Sequence, residues 1–428
     1  MKRQLLIFAM GLTSLAVSAQ ENQFSIDAQL RTRAEYNNGA ITPRNEGDLP
    51  ANFINNRARL SMDWKRDNLE LKASIQHTGV WGQDNIKEKN GRVALNEAWG
   101  KINLKTDDNM FFQIGRQQLS YDDERILGGL DWNVAGNWHD AIRFGWESTY
   151  SNFRDKLHVA YAFNQNDENV RGGYFATPIK VMPYKTLTMA WYHMDFDTTP
   201  LALSILAMSV GRESTTASAP KGDTKYLQLL GTDVTLKPAS FNIHGAFYYE
   251  WGKNVNDVKI AAWMATAKVG YQINPEWNVN VGCDYLSGTK AGSDKVKTFD
   301  PLFGTHHKFL GSMDYWVGGI PAEGLTDLQA GLSTTAIKKL NLSLNYHYFM
   351  LNEKRLDAAG EKLSSGLGHE LDFQVSAKLQ KDVTLVGGYS FMLGSETMDA
   401  VKAGNHKSWQ DWCWLQLNIN PRVFFTKW

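Results

Sequence analysis

Phe24-Ser25-Ile26-Asp27-Ala28-Gln29-Leu30-Arg31-Thr32-Arg33-Ala34-Glu35-Tyr36 changes character at every step. Its even positions carry Phe24, Ile26, Ala28, Leu30, Thr32, Ala34 and Tyr36, and its odd positions carry Ser25, Asp27, Gln29, Arg31, Arg33 and Glu35. Side chains that leave the backbone on opposite sides at successive residues define a β-strand, here with one apolar and one charged face. The pattern recurs. Ala58, Leu60, Met62 and Trp64 interleave with Arg57, Arg59, Ser61 and Asp63, and Leu69, Leu71, Ala73 and Ile75 with Glu70, Lys72, Ser74 and Gln76. Later copies run through Phe241 to Trp251, Trp277 to Tyr285, Leu340 to Tyr348 and Leu371 to Leu379. Each run is about ten residues long, the roughly 9 to 11 that a tilted strand uses to cross a bilayer.

Eighteen such strands are expected, at 24–36, 53–65, 69–81, 93–104, 110–119, 139–148, 157–164, 186–195, 201–211, 225–236, 240–252, 260–272, 276–286, 327–335, 339–351, 369–379, 383–393 and 409–419. Gaps after even-numbered strands are short and turn-like, as in Arg66-Asp67-Asn68, Lys237-Pro238-Ala239 and Asn274-Pro275. Gaps after odd-numbered strands are mostly longer: 37–52, 82–92, 120–138, 165–185, 287–326, 352–368 and 394–408. One trimmed end and one elaborated end predict an all-β, transmembrane antiparallel barrel with short periplasmic turns and long extracellular loops. A soluble sandwich or propeller is the competing architecture. It would need a second layer over the apolar faces, and no repeat of 40 to 50 residues supports a propeller. Tyr36, Trp64, Trp81, Trp251 and Tyr285 sit at strand ends, where interfacial girdles lie. The chain closes on Phe424-Phe425-Thr426-Lys427-Trp428, an aromatic terminus of the kind presented to the barrel assembly machinery.

Composition narrows the class. The 428 residues hold 45 Lys+Arg and 45 Asp+Glu, so no net charge is available to bind nucleic acid. Two cysteines, Cys283 and Cys413, cannot build a disulfide scaffold, and both fall on the apolar face. Mean hydropathy is −0.39, yet the chain carries 15 Trp, 16 Tyr and 20 Phe, which suits a protein at a lipid boundary. Met1-Lys2-Arg3, an apolar run from Leu5 to Val17 and Val17-Ser18-Ala19 read as a cleaved signal peptide over residues 1–19, with one barrel domain from 20 to 428. Export and strands together predict the outer membrane of a Gram-negative bacterium, with its lipid as surroundings.

In such a barrel the polar half of each strand faces the lumen. The expected inward cations are Arg31, Arg33, Arg57, Arg59, Lys72, Lys101, Arg116 and Arg143, with Glu35, Asp63, Glu70 and Glu97 among them. Two readings stand: lateral ion pairs that brace the wall, or a basic stripe that guides an anionic solute. The connection 287–326, which contains Asp300 to Asp314, is the constriction or plug candidate. His306-His307 point apart on an extended chain and lack a third ligand, so neither a metal nor a cofactor is expected. GxSxG and HExxH are absent. Glu370 and Asp372 share an inward face at about 7 Å, a spacing open to acid/base work but commoner in a pore wall.

Leu95-Asn96-Glu97-Ala98-Trp99, Gly115-Arg116-Gln117, the Asp123 to Gly129 run, Trp132 and Asp140-Ala141-Ile142-Arg143 resemble the N-terminal half of the alginate export family of outer-membrane proteins. The Asp300 to Asp314 segment and Gly368-His369-Glu370-Leu371-Asp372 resemble its C-terminal half. The resemblance implies a monomeric barrel of eighteen strands that passes an anionic polyuronate through an arginine-lined lumen. It nominates Arg116, Arg125, Arg143, His307, Asp314, Glu370 and Asp372 as family-pattern residues. The expectation is therefore a passive, non-enzymatic channel for small hydrophilic solutes. A general, weakly selective porin is the rival within transport, and a barrel hydrolase is the rival from another class.

Overall fold

The computed structural model describes residues 22–84, 93–105, 108–165, 184–216, 218–220, 222–357 and 359–428. The signal peptide expected at 1–19 lies outside them. The first strands are Asn22–Asn38 (β1), Ala51–Arg66 (β2), Leu69–Val80 (β3), Val93–Lys105 (β4), Asn109–Gln117 (β5) and His139–Thr149 (β6). Next come Phe153–Phe163 (β7), Thr186–Phe196 (β8), Leu201–Glu213 (β9), Thr224–Leu236 (β10), Phe241–Lys253 (β11) and Lys259–Asn274 (β12). The rest are Trp277–Leu286 (β13), Leu325–Thr334 (β14), Leu340–Met350 (β15), Gly366–Gln380 (β16), Val383–Gly394 (β17), Gln410–Ile419 (β18) and Arg422–Lys427 (β19).

From β1 to β18 each strand pairs antiparallel with the next and β18 returns to β1, which closes the sheet, while among the described residues β19 pairs with β1 alone. The result is a closed, eighteen-stranded antiparallel barrel. All eighteen expected strands are present. The terminal Arg422–Lys427 strand was not among them, because Asn420-Pro421 breaks the alternation. It continues β18 past that break. Proline cannot donate to the ladder, but its carbonyl accepts the Ala28 N–H at 3.0 Å, and β1 shifts register beside it between Ile26 and Asp27. The aromatic terminus is thus a wall element. The short turns gather at one end and the long connections at the other.

Outward-facing Leu30, Leu60, Ile114, Ile142, Val281 and Leu415 are exposed, as hydrocarbon contact requires. The buried core lies inside the barrel. Leu187, Met189 and Trp191 of β8, Leu206, Met208 and Val210 of β9, Leu227 and Leu229 of β10, Tyr248 of β11 and Met264 of β12 all point inward and are buried. This corrects the expectation that every inward face is polar. Leu201 to Val210 is apolar at both parities, the mark of a strand covered on both faces. Two inward-folded connections supply the cover. Residues 118–138 bring Leu119, Tyr121, Ile126 and Leu127, and residues 287–324 bring Phe299, Phe303, Phe309, Met313 and Trp316. Each fully buried side chain of this size stabilises by about 1.5–3 kcal/mol, which makes the infolding of both connections favourable.

The two connections pair with each other. Gly128 N–H donates to the Phe303 carbonyl at 3.1 Å, Phe303 N–H to Ile126 at 3.0 Å and Thr305 N–H to Glu124 at 2.9 Å. A Cβ on Gly304 would lie 2.0 Å from the Arg125 carbonyl oxygen, so only glycine permits this approach. The constriction expected from 287–326 alone is a septum built by two segments.

Candidate functional site

The tip of the 118–138 connection crosses to the β1–β3 wall and is clasped there. Arg31 donates through Nη1 to the Asp131 carbonyl and through Nη2 to that of Asn133 at 2.8 Å. Arg33 Nη1 donates to the Trp132 carbonyl at 3.1 Å while its Nε pairs with Glu35 at 2.8 Å. Arg57 Nη2 meets the Asp131 carboxylate at 2.7 Å. Gln76 holds the Ala135 carbonyl at 2.8 Å and accepts both Nε and Nη2 of Arg59, at 2.9 and 2.7 Å. The Trp132 ring fills the gap between walls. The Arg33 guanidinium lies 3.9 Å from its centroid, and the His307 ring stacks on it at 4.1 Å and 6°. Trp412 and Trp414 meet Trp132 edge-on, and Trp412 Nε1 donates to Glu35 at 3.2 Å.

This arrangement corrects the role expected for three of the guiding arginines. Arg57 is 0% exposed, Arg31 5% and Arg33 6%, because the loop tip covers them. Neighbouring guanidiniums repel, and burying them is tolerated only where acceptors surround them. Here the acceptors are loop carbonyls and Asp131. Arg59 alone of the four remains half-buried at the lumen. Burial works to raise the Asp131 pKa, but Arg57, Arg31 and Arg59 outweigh it and hold this carboxyl below the ordinary carboxylate range.

Arg125 anchors the same connection on the other side. Its Nε pairs with Asp123 at 2.7 Å, and its Nη2 with Asp284 of β13 at 2.9 Å and with Thr266 of β12 at 3.2 Å. The guanidinium carbon sits 4.2 Å over the Phe309 ring. The second connection is anchored by the carboxylate pair. Glu370 accepts the Met313 N–H at 2.8 Å and Asp372 the Ser312 N–H at 3.2 Å. Both face inward, at 1% and 5% exposure. Asp314 takes His307 Nδ1 at 2.6 Å, which orients the ring stacked on Trp132.

Arg143 faces inward, bonding Gln113 at 2.6 Å beneath Tyr121. Arg116 does not. It shares parity with the exposed Phe112 and Ile114, so it lies on the outer face and closes a two-pronged pair with Asp140 at 2.9 Å on each oxygen. Its placement among the lumen cations is therefore corrected by register. Among the described residues, the inward cations with solvent access on β2 to β6 include Arg59, Lys65, Lys72, Lys101 and Arg143, with Lys72 beside Glu97 at 3.0 Å and Lys65 and Lys101 3.6 and 3.7 Å from Glu70.

His306 and His307 lie on a 3-10 turn, His306–Lys308, and not on the extended chain expected, yet they diverge, His306 toward the Pro301 carbonyl at 3.1 Å and His307 toward Asp314. Among the described residues, Asp123, Asp233 and His244 do bring three potential ligand atoms within 4.8 Å of one another. That group is internally paired: His244 Nε2 meets Asp233 at 2.7 Å and Arg125 occupies Asp123.

The residues that sequence reasoning missed are those of the 118–138 tip and its partners, Asp131, Trp132, Gln76, Trp412 and Trp414. A gap of about 20 residues holding Leu119, Tyr121, Ile126 and Leu127 was the available signal, since long connections rich in core-type residues seldom remain in solvent.

A family profile described as alginate export matches residues 22–411. Comparison with functionally curated proteins finds no match. Among solved structures, OccK9 (OpdG) of Pseudomonas aeruginosa is similar at a TM-score of 0.61 and 12% identity, covering 94% of this chain and 98% of that one. A BenF-like porin from Pseudomonas fluorescens Pf-5 gives 0.60 and 11%, with 94% and 99% covered. Pseudomonas aeruginosa OccK2 (OpdF), solved in complex with glucuronate, gives 0.59 and 11%, with 94% and 97% covered. At these identities the likeness is one of fold, that of outer-membrane porins.

Proposed function

The chain belongs to the alginate export family, and on that premise we propose that it is a passive channel of the Gram-negative outer membrane for small hydrophilic, anionic saccharide solutes such as polyuronate. The observation that carries this reading is the septum. Two connections meet inside a closed barrel and narrow its lumen, and on this reading the solute passes beside Arg59, Lys72, Lys101 and Arg143. Cations facing a narrow, low-dielectric passage raise the local concentration of anions. Arg31, Arg33 and Arg57 act one step back, by fixing the loop that sets the passage. The solute moves down its gradient and no bond is made or broken.

The glucuronate seen in the OccK2 structure supports an acidic sugar as the solute class. A cleaved signal peptide over 1–19, insertion by the barrel assembly machinery, surrounding outer-membrane lipid and a monomeric state belong to the same proposal. The rival of a general, weakly selective porin draws on the pairing of Lys72 with Glu97 and of Lys101 with Glu70. A hydrolase is disfavoured at the candidate acid pair, since Glu370 and Asp372 are buried and hold backbone amides. Liposome swelling decides between the transport readings. Uronate and its short oligomers should enter faster than neutral sugars of equal size, and equal rates would leave only the general porin.

A further inference from the structure

A cavity of about 170 Å³ opens in the lumen wall under the 306–312 segment, adjoining the arginine clasp at His307. Its floor follows the strand register. One cross-strand row carries Asn280, Gly331, Asn345 and Asp372 on β13 to β16. The next row carries Lys268, Gly282, Gln329 and His347 on β12 to β15. Gly331 lets the Asn280 and Asn345 side chains close over the strand between them: a Cβ there would lie 2.4 Å from Asn280 Nδ2 and 2.8 Å from Asn345 Oδ1.

The two ends differ chemically. At one, Lys268 and Lys308 each bring an ammonium 5.6 Å from the Phe309 ring. Lys308 donates to the Asp123 carbonyl at 2.9 Å, and Lys268 lies 3.7 Å from Asp284, which Arg125 already engages at 2.9 Å. At the other end stands Asp372, 5% exposed, whose carboxyl is in side-chain hydrogen-bond contact with Glu370 and whose Oδ1 has no other hydrogen-bond partner. Its Oδ2 accepts the Ser312 N–H at 3.2 Å, with His347 Nε2 at 3.6 Å. A buried carboxylate oxygen so sparsely partnered is costly and calls for an O–H or N–H donor. Between the ends, Asn280 and Asn345 offer their amides and Gln329 its Oε1, since Gln329 Nε2 already donates to Asp284 and Asp327 at 2.6 Å.

We propose that this cavity is a binding stop for one small polyhydroxy monocarboxylate at a time. Its carboxylate meets Lys268 and Lys308, its inner hydroxyls meet the three amides, and its far hydroxyl donates to Asp372 Oδ1. A space of about 170 Å³ opening on the lumen takes a group of single-sugar size. The inference rests on the channel reading and deepens it: the passage holds monomers at a discrete site on the wall of β12 to β16.

The test uses the full chain in planar bilayers, with D-gluconate as probe and D-glucitol, which lacks the carboxylate, as control. Millimolar gluconate should interrupt the single-channel current of the native protein, and glucitol should not. Gly331→Val, whose side chain would displace the Asn280 and Asn345 amides from the cavity wall, should abolish the interruptions. Lys268→Met and Asp372→Asn should each weaken apparent affinity tenfold or more. Cys413→Ser, on the outward face, should leave them intact, and heat-modifiable gel mobility confirms that each variant folds. A conducting native channel that gluconate never interrupts, or interruptions that persist in Gly331→Val, would overturn the site while leaving the channel standing. Absence of conductance would instead remove the channel reading. Calorimetric titration of the detergent-solubilised protein with gluconate still tests the cavity in that case, and no saturable heat would refute it.

Discussion

Replacing Asp131 by alanine tests how the septum is held. The Asp131 carboxylate bonds Arg57 Nη2 at 2.7 Å and lies 3.5 Å from Arg31 Nη1. Arg57 is fully buried, and its Nε and Nη1 already lack partners, so the substitution leaves its charge without an anion. Stranding a buried cation costs about 3–5 kcal/mol. The Asp131 side chain is itself 71% exposed, which weakens the pair through solvent screening. About 1–3 kcal/mol remains as the expected loss. The Arg31 and Arg33 bonds to loop carbonyls survive, so the tip should still dock. At about 1.4 kcal/mol per factor of ten, the undocked population should rise roughly 5- to 150-fold. The assay is single-channel recording of Asp131→Ala against the native protein at matched salt. Excursions to a larger conductance should become more frequent by that factor, and their amplitude should match a lumen without the loop tip. Recordings with the native frequency of such excursions would refute the claim that the arginine cluster is a loop clasp.

Arg125→Met should leave the fully buried Asp284 with only Lys268 at 3.7 Å as counter-charge and lower stability by at most about 3–5 kcal/mol, measured as a fall in the temperature at which the detergent-solubilised barrel loses its folded gel mobility. Arg116→Ala should leave ion selectivity unchanged, because Arg116 pairs with Asp140 on the outer face; a shifted reversal potential would return it to the lumen. The depressed Asp131 pKa makes its stabilisation of the clasp fully present above the unfolded value of about 3.9, and lost as pH falls through the lower folded value. Conductance fluctuations should accordingly be flat from about pH 5 to 8 and grow only below about pH 4, and a transition near neutrality would show that another group controls the loop.

The strands were legible because each had to satisfy hydrocarbon on one side and water on the other, which writes period two into the chain. Two places broke that rule, and both were missed for physical reasons. Pro421 interrupts the last stave without ending it, since its carbonyl still serves β1. Leu201 to Val210 is apolar on both faces because the inner face packs on infolded segments, information that lies in residues 118–138 and 287–324 and not in the strand. Arg116 shows the limit of residue type without register: its charge suggested the lumen, while its parity with Phe112 and Ile114 placed it outside. Arg31, Arg33 and Arg57 were located on the correct face. Their burial could not be read locally, because it depends on carbonyls about 100 residues away.

The most direct test of the whole account is the reversal potential of the reconstituted native protein under a tenfold KCl gradient. Cations lining a loop-narrowed passage predict a potential displaced toward that of chloride, and a move toward zero when Arg59 and Lys72 are both changed to alanine. A native potential at zero or displaced toward potassium would contradict it.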